Sequence, residues 1–387
     1  MVYCRDDYGG NKRVDYMTQL NSTERVISTF TGGQLDRLPV FDIIHNLEFI
    51  EYVGGDKITP DNAEDVTCRA VRKTLDLVRH FCIPDELEPR IEIDEDGFHY
   101  RVEWWTKEII YRPIKSIEDA KELMKRDIER IYDCIDKQKF CHQAKEHLNL
   151  FGEKYKYPEE LNRHFERVTE KLGDTMMIAP ETVPGLYTAI NRYGFDWFVY
   201  MYHDYPELTL QYYDALVDYE LFRIDSFAPT HLSKVALISE ATCFNTGLMW
   251  SPDFIKRIIF PRAKKCIDRW KKYGYFVIWH SDGNKWQIVE DIIKMGADSI
   301  NPCEPIATMD VKKFRSLYPD TVIGSMIDCQ NLLAFGSPDE IRVATEKAIQ
   351  DSGGAKTLIG STSEIHPGIR LENALAMYDV AKGYTFS

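Results

Sequence analysis

Five apolar, strand-like runs in the C-terminal half of the chain each stop on an acid, a histidine or a cysteine. They are VALISE ending at Glu240, YFVIWHSDGN with His280 and Asp282, ADSINPCEP with Cys303 and Glu304, TVIGSMIDC with Asp328 and Cys329, and KTLIGSTSE with Glu364. Most are followed by a stretch of helical period. A buried run that ends on a reactive side chain, again and again, is what a parallel β/α barrel presents where its strands finish. The pattern predicts an α/β protein of the TIM (β/α)8 barrel class. It places the site at one end of that barrel but leaves the substrate open.

The rest of the chain is consistent with this. Its 387 residues suit one barrel with insertions. Residues 1–20 read as a polar extension and 21–387 as a single domain. An extra N-terminal helix is expected from Ser22, stopped by Gly32 and Gly33. Val40 to Ile44 reads as the first strand and ends on His45 and Asn46. Residues 60–90 are read as a helix with Ala70, Val71, Leu75, Leu77 and Val78 as its buried stripe. A Glu-Asp-Gly turn between alternating runs predicts a β-hairpin insertion over 91–113. The charged stretches 116–150 and 156–172 are expected to be surface helices. TMMIAP at 175–180 reads as a buried strand followed by Glu181. Helices are expected at 252–273, 286–295, 309–317, 337–350 and 372–382.

Charge and cysteine usage narrow the partners. There are 62 acidic and 48 basic residues, a formal net charge of −14, which disfavours nucleic acid or an anionic membrane. No apolar run is long enough to span a bilayer. The start of the chain is polar, and the nine scattered cysteines form no CxxC pair. A cytoplasmic protein with reduced thiols is the expectation.

The strand ends carry the chemistry. The two-residue period of a strand puts His280 and Asp282 on one face. A His and a carboxylate so placed can ligate a metal, or act as a base with its orienter. Glu240 and Glu304 also follow buried runs, where a carboxylate is costly without a polar cavity or a cation. Three such ligands and an open position would make a catalytic zinc site. Glu240, His280 and Glu304 are the first choice, with Asp282 or Glu364 as substitutes. Asp282, Asp328, Glu364 and His45 are catalytic candidates. Asn46, Glu181, Cys303 and His366 are candidates for contact with substrate. Arg37 is read as a structural ion-pair partner.

The segments HSDGN, INPCEP, TMDVKKFRSLYPD, GSMID, FGSPDEI and PGIRLENALAMY occur in this order. Together they resemble the uroporphyrinogen decarboxylase superfamily, and its methyltransferase-like branch in particular. The resemblance runs from about Glu24 to Tyr384 and is strongest after residue 234. It implies a β/α barrel with added N-terminal helices, and a homodimer. The namesake branch carries an arginine-bearing stretch after its first strand. Here that stretch is Phe41-Asp42-Ile43-Ile44-His45-Asn46, without arginine, so porphyrin decarboxylation is not expected. The other branch moves methyl groups to or from the cobalt of a corrinoid protein. Its thiol-methylating members hold zinc with a His-x-Cys motif and a distant Cys. His280 matches their histidine, whereas Asp282 and, roughly, Ser363 stand where their cysteines would be.

The resemblance thus implies zinc bound by His280 and carboxylates. It also implies a small O- or N-methylated substrate, favouring a methoxylated aromatic, as methyl donor or acceptor. Cobalamin would come on a separate corrinoid protein, because this chain has no DxHxxG signature of its own. The alternative is a cofactor-free decarboxylase of a small acid or tetrapyrrole. A member that binds a metabolite without turnover is the third reading.

Overall fold

The computed structural model describes residues 19–79, 82–141 and 155–384. Nearly all of the expected extension at 1–20, and 142–150 of the expected helix 116–150, lie outside these residues.

Eight parallel strands form the centre. They are β1 (Phe41–Asp42), β2 (Leu77–Val78), β3 (Met176–Met177), β4 (Val235–Ser239), β5 (Phe276–His280), β6 (Ser299–Asn301), β7 (Val322–Gly324) and β8 (Thr357–Leu358). β1, β2 and β3 pair in that order, and β4 to β8 form a second run of neighbours. Single bridges join the two runs. Thr182 meets Ile238 beside β4, while Val40 and Ile44 meet Ile359 and Ile365 on the other side. Phe41 N donates to Ile359 O at 2.9 Å and His45 N to Ile365 O at 2.9 Å. The ring is closed, so its eight strands leave no edge of their own unpaired among the described residues.

The two-residue period sorts the side chains. Leu77, Val235, Leu237, Ile278 and Leu358 fill the lumen together, while Ala236, Ile238, Val277 and Trp279 pack outward against helices. Continuing the same period puts Arg79 above Leu77 and His280 above Ile278, in the top layer of the lumen. Helix Ser22–Thr31 closes the opposite end, with Val26 and Phe30 in the lumen cluster and Phe30 stacked on Phe276 at 4.9 Å.

Several elements differ from the sequence reading. The helix expected over 60–90 is Ala63–Thr74, and Leu77 and Val78 belong to β2. Leu75, Leu77 and Val78, three apolar residues in four, suit either period. Burial of Asp76 decides it: its carboxylate accepts from Arg25 and Arg37 at 2.6 Å and from Val40 N at 2.9 Å, which fixes an extended chain beside β1. Arg37 is thus the structural partner expected of it. The insertion is a three-stranded antiparallel sheet, Arg90–Ile93, His99–Glu103 and Thr106–Tyr111, one strand more than a hairpin. Helix Pro158–Leu172 is not confined to the surface, since it buries Leu161, Phe165, Val168 and Leu172. Helix Leu47–Gly54 and the short hairpin Cys243–Phe244 with Gly247–Leu248 were not anticipated. Among the described residues, no helix is long and apolar enough to cross a membrane.

Candidate active site

The upper end of the barrel gathers two buried charged groups. The first joins β2, β3 and β5. Arg79 and Glu181 form a two-pronged ion pair, with Nε 2.8 Å from Oε2 and the second prong between Nη2 and Oε1. Arg79 Nη1 also lies 3.2 Å from His280 Nε2. A guanidinium can only donate, so Nε2 must accept. The ring proton therefore sits on Nδ1, which donates to Asn301 Oδ1 at 2.7 Å, and Asn301 Nδ2 donates to Ser325 Oγ at 2.7 Å. Burial first, and the Arg79 charge second, lower the His280 pKa. His280 is a neutral acceptor with a fixed tautomer.

The second group joins β1, β8 and the chain just beyond β2. His45 Nδ1 lies 2.7 Å from Glu364 Oε2. Burial opposes charge on this imidazole, but the nearby Cys82 and Glu364 outweigh it and push the pKa up to about 10. His45 is a cation at neutral pH. The turn of the antiparallel insertion lies over it, with the Trp104 and Trp105 rings 6.0 and 5.8 Å from the imidazole. The Cys82 thiol donates to Trp105 O at 3.7 Å.

The three expected zinc ligands do not meet. Glu240 accepts from Tyr213 Oη at 2.8 Å and from Tyr187 N at 3.2 Å, so it anchors the N-terminus of helix Leu186–Tyr193. Burial pushes its pKa up to about 7. Glu304 accepts from Gly283 N, and burial followed by the nearby Asp282 raises its pKa. His280 spends its remaining lone pair on Arg79. Among the described residues, no three His, Cys, Asp or Glu side chains converge as a metal cluster would. The donor set does not fit a resident zinc, because a cation at His280 Nε2 would face the guanidinium.

The other sequence candidates are placed as follows. Asp282 is 3.6 Å from His280 Nε2, with its side chain 61% exposed. Asp328 Oδ1 accepts from Gln330 N at 2.9 Å and shapes the loop after β7. Asn46 caps helix Leu47–Gly54 through Phe49 N at 2.9 Å and donates to Ile369 O at 2.7 Å, so it ties the chain after β1 to the loop after β8. Cys303 is fully buried, donates to Met309 O at 3.4 Å and has its pKa pushed up to about 12 by burial. His366 holds its own loop, with Nε2 3.2 Å from Cys329 O. Lys285, fully buried, donates to Gly283 O at 2.9 Å and Pro302 O at 2.8 Å, which ties the ends of β5 and β6 together. Gly283 has φ +85°, and a Cβ there would lie 2.6 Å from Phe244 O, so the turn after His280 needs glycine.

Arg79 and Cys82 were missed in the sequence. The signal was present in part: Leu77-Val78-Arg79 is another apolar run that ends on a charge. Its inclusion in a helix concealed it.

A family model described as uroporphyrinogen decarboxylase (URO-D) matches residues 192–384. This C-terminal stretch belongs to the uroporphyrinogen decarboxylase superfamily. The matched stretch of this superfamily member includes β4 to β8 with His280, Glu304 and Glu364, and leaves out His45, Arg79 and Cys82. Its fold is similar to that of a methyltransferase from Methanosarcina mazei, with a TM-score of 0.63 and 15% identity, covering 94% of this chain and 99% of that one. A B12-independent methionine synthase from Shewanella sp. W3-18-1 is matched with a TM-score of 0.36 and 10% identity, over 90% and 98% of the two chains. No curated protein matches.

Proposed function

We propose that the barrel mouth transfers a methyl group between a small O- or N-methylated substrate, a methoxylated aromatic first among them, and a corrinoid held by a separate protein. The observation that supports this most is the pair of nitrogen cations at the mouth, His45 and Arg79, with Trp104 and Trp105 over the first of them. Breaking an aryl methyl ether puts negative charge on the oxygen, and fixed cations in a water-poor site stabilise that charge.

The residues divide the work. Glu364 orients the His45 imidazolium, which donates a proton to the departing oxygen. Glu181 orients Arg79, and neutral His280 holds Nη1 from the other side. Trp104 and Trp105 give a flat wall for an aromatic ring and exclude water. The corrinoid partner supplies, when docked, a nucleophile for the methyl carbon. No step here runs through zinc, whose expected ligands are engaged elsewhere. The eight described cysteines are all free, in keeping with a reducing, cytoplasmic setting.

The test is a panel of methoxylated aromatics and methylated amines mixed with this protein and a reduced corrinoid protein. Methyl-cobalt absorbance should appear with at least one of them. Release of carbon dioxide from a carboxylated substrate without any corrinoid would replace this reading with the lyase.

A further inference from the structure

We propose that Asn301, held by Ser325, is a positioning residue that works through His280 to hold the Arg79 guanidinium at the mouth. The four side chains stand at the ends of β2, β5, β6 and β7 and are linked in that order, Arg79 to His280 to Asn301 to Ser325. All four are buried. The chain of hydrogen bonds runs in one direction. Arg79 Nη1 can only donate, so His280 Nε2 accepts and the ring proton lies on Nδ1. That proton needs an acceptor 2.7 Å away, which is Asn301 Oδ1. The amide is thereby oriented, and its Nδ2 donates to Ser325 Oγ at 2.7 Å. A hydroxyl can accept or donate, so Ser325 takes the end of the amide that Arg79 dictates.

The backbone is shaped around this chain. His280 and Asn301 are register partners on β5 and β6, and Ser281 N donates to Asn301 O at 3.1 Å, so the ladder sets the distance between imidazole and amide. A Cβ on Gly324 would lie 3.1 Å from Asn301 Nδ2, so glycine leaves the room that the amide fills. Ser325 has φ +55°, a left-handed conformation that residues with a side chain seldom adopt. Its backbone is held there from both sides: Ser325 N donates to Leu358 O at 3.1 Å, and Ser325 O accepts from Cys303 N at 2.9 Å.

The two sides of Arg79 are thus held differently. Glu181 binds it with a full charge, whereas the chain binds it with dipoles, which fix the guanidinium without a second counter-charge. The charges that face His280 are Arg79 beyond β2, Glu181 beyond β3 and Asp282 beyond its own strand. An aspartate in place of Asn301 would add negative charge at Nδ1 and favour a second ring proton. That proton would sit on Nε2 and remove the lone pair that Arg79 uses. What Arg79 does to a substrate rests on the methyl-transfer reading; the chain does not.

NMR of the ring nitrogens, in full-length protein carrying isotope-labelled histidine, tests the chain without substrate or corrinoid. The signal lost in His280→Gln assigns the ring. At neutral pH native His280 should carry a proton on Nδ1 and none on Nε2, and Asn301→Asp should protonate both. In turnover, Asn301→Leu should lower kcat by about tenfold and leave KM within about twofold, because Arg79 acts on charge that develops in the transition state. Asn301→Asp should regain turnover as pH rises and the second proton leaves, a profile that a merely structural defect would not give. It also keeps the size of the side chain should Asn301→Leu fail to fold. A native His280 protonated on Nε2, or ring protonation unchanged in Asn301→Asp, would overturn the chain. The expected tautomer with no methyl-cobalt from any substrate would instead keep the chain and remove the methyl-transfer reading.

Discussion

The two halves of this barrel differ in how they are built and in what they bring to the mouth. β4 to β8 are continuous neighbours with full ladders, and their end groups are hydrogen-bonded into the scaffold: His280 to Asn301 to Ser325, Glu304 to Gly283, Lys285 to two carbonyls. β1 to β3 are two residues long each and are interrupted by helices and the antiparallel sheet. Yet this half supplies both cations, Arg79 and His45, together with Cys82. The regular half holds the neutral His280 and the carboxylate of Glu364, and the irregular half brings Arg79 and His45 to them.

Arg79→Ala attacks the irregular half directly and should have the largest effect. It leaves Glu181 buried without its cation and frees His280 Nε2. Turnover should fall by about a hundredfold or more, and urea unfolding should show a loss of about 3–5 kcal/mol. If the regular half carried the chemistry alone, turnover would survive.

His45→Gln comes next. In the fold His45 has a pKa of about 10 against 6.5 when unperturbed, so its contribution to stability is complete below 6.5 and is lost as pH rises to about 10. The variant should flatten the decline in melting temperature across that window and lose turnover. An unchanged decline would contradict the His45–Glu364 pairing.

Glu240→Gln sharpens the contrast from the regular side. Burial raises the Glu240 pKa from 4.5 to about 7, so its contribution falls as pH rises between those values. The amide should remove part of that slope and keep turnover within about threefold, as expected of a group that anchors a helix and binds no metal. Loss of turnover together with loss of bound zinc would restore Glu240 as a ligand. Asp282→Asn should have the smallest effect, within about 0.5 kcal/mol in stability, because the side chain is 61% exposed.

Legibility followed the same division. The strands that end on Glu240, His280, Glu304 and Glu364 could be read because each is a clear apolar run before a polar stop. β2 could not, because Leu75, Leu77 and Val78 suit a helix as well as a strand until Asp76 is seen to be buried. Arg79 and Cys82 were lost with it. The expected ligand set of Glu240, His280 and Glu304 was not legible for a different reason. Strand ends show which residues reach the mouth but not which way a long side chain turns, and Glu240 turns to Tyr213 and the start of a helix. Cys303 and Asn46 likewise reach the right level of the barrel and are taken up by backbone partners.

The most direct test is methyl-cobalt formation by protein freed of metal with a chelator, given a methoxylated aromatic and reduced corrinoid protein, beside Arg79→Ala. Methyl-cobalt should form in the native protein under these conditions and be lost in the variant. Activity that vanishes in chelator, returns with zinc and survives Arg79→Ala would contradict the claim that the mouth works through its own cations.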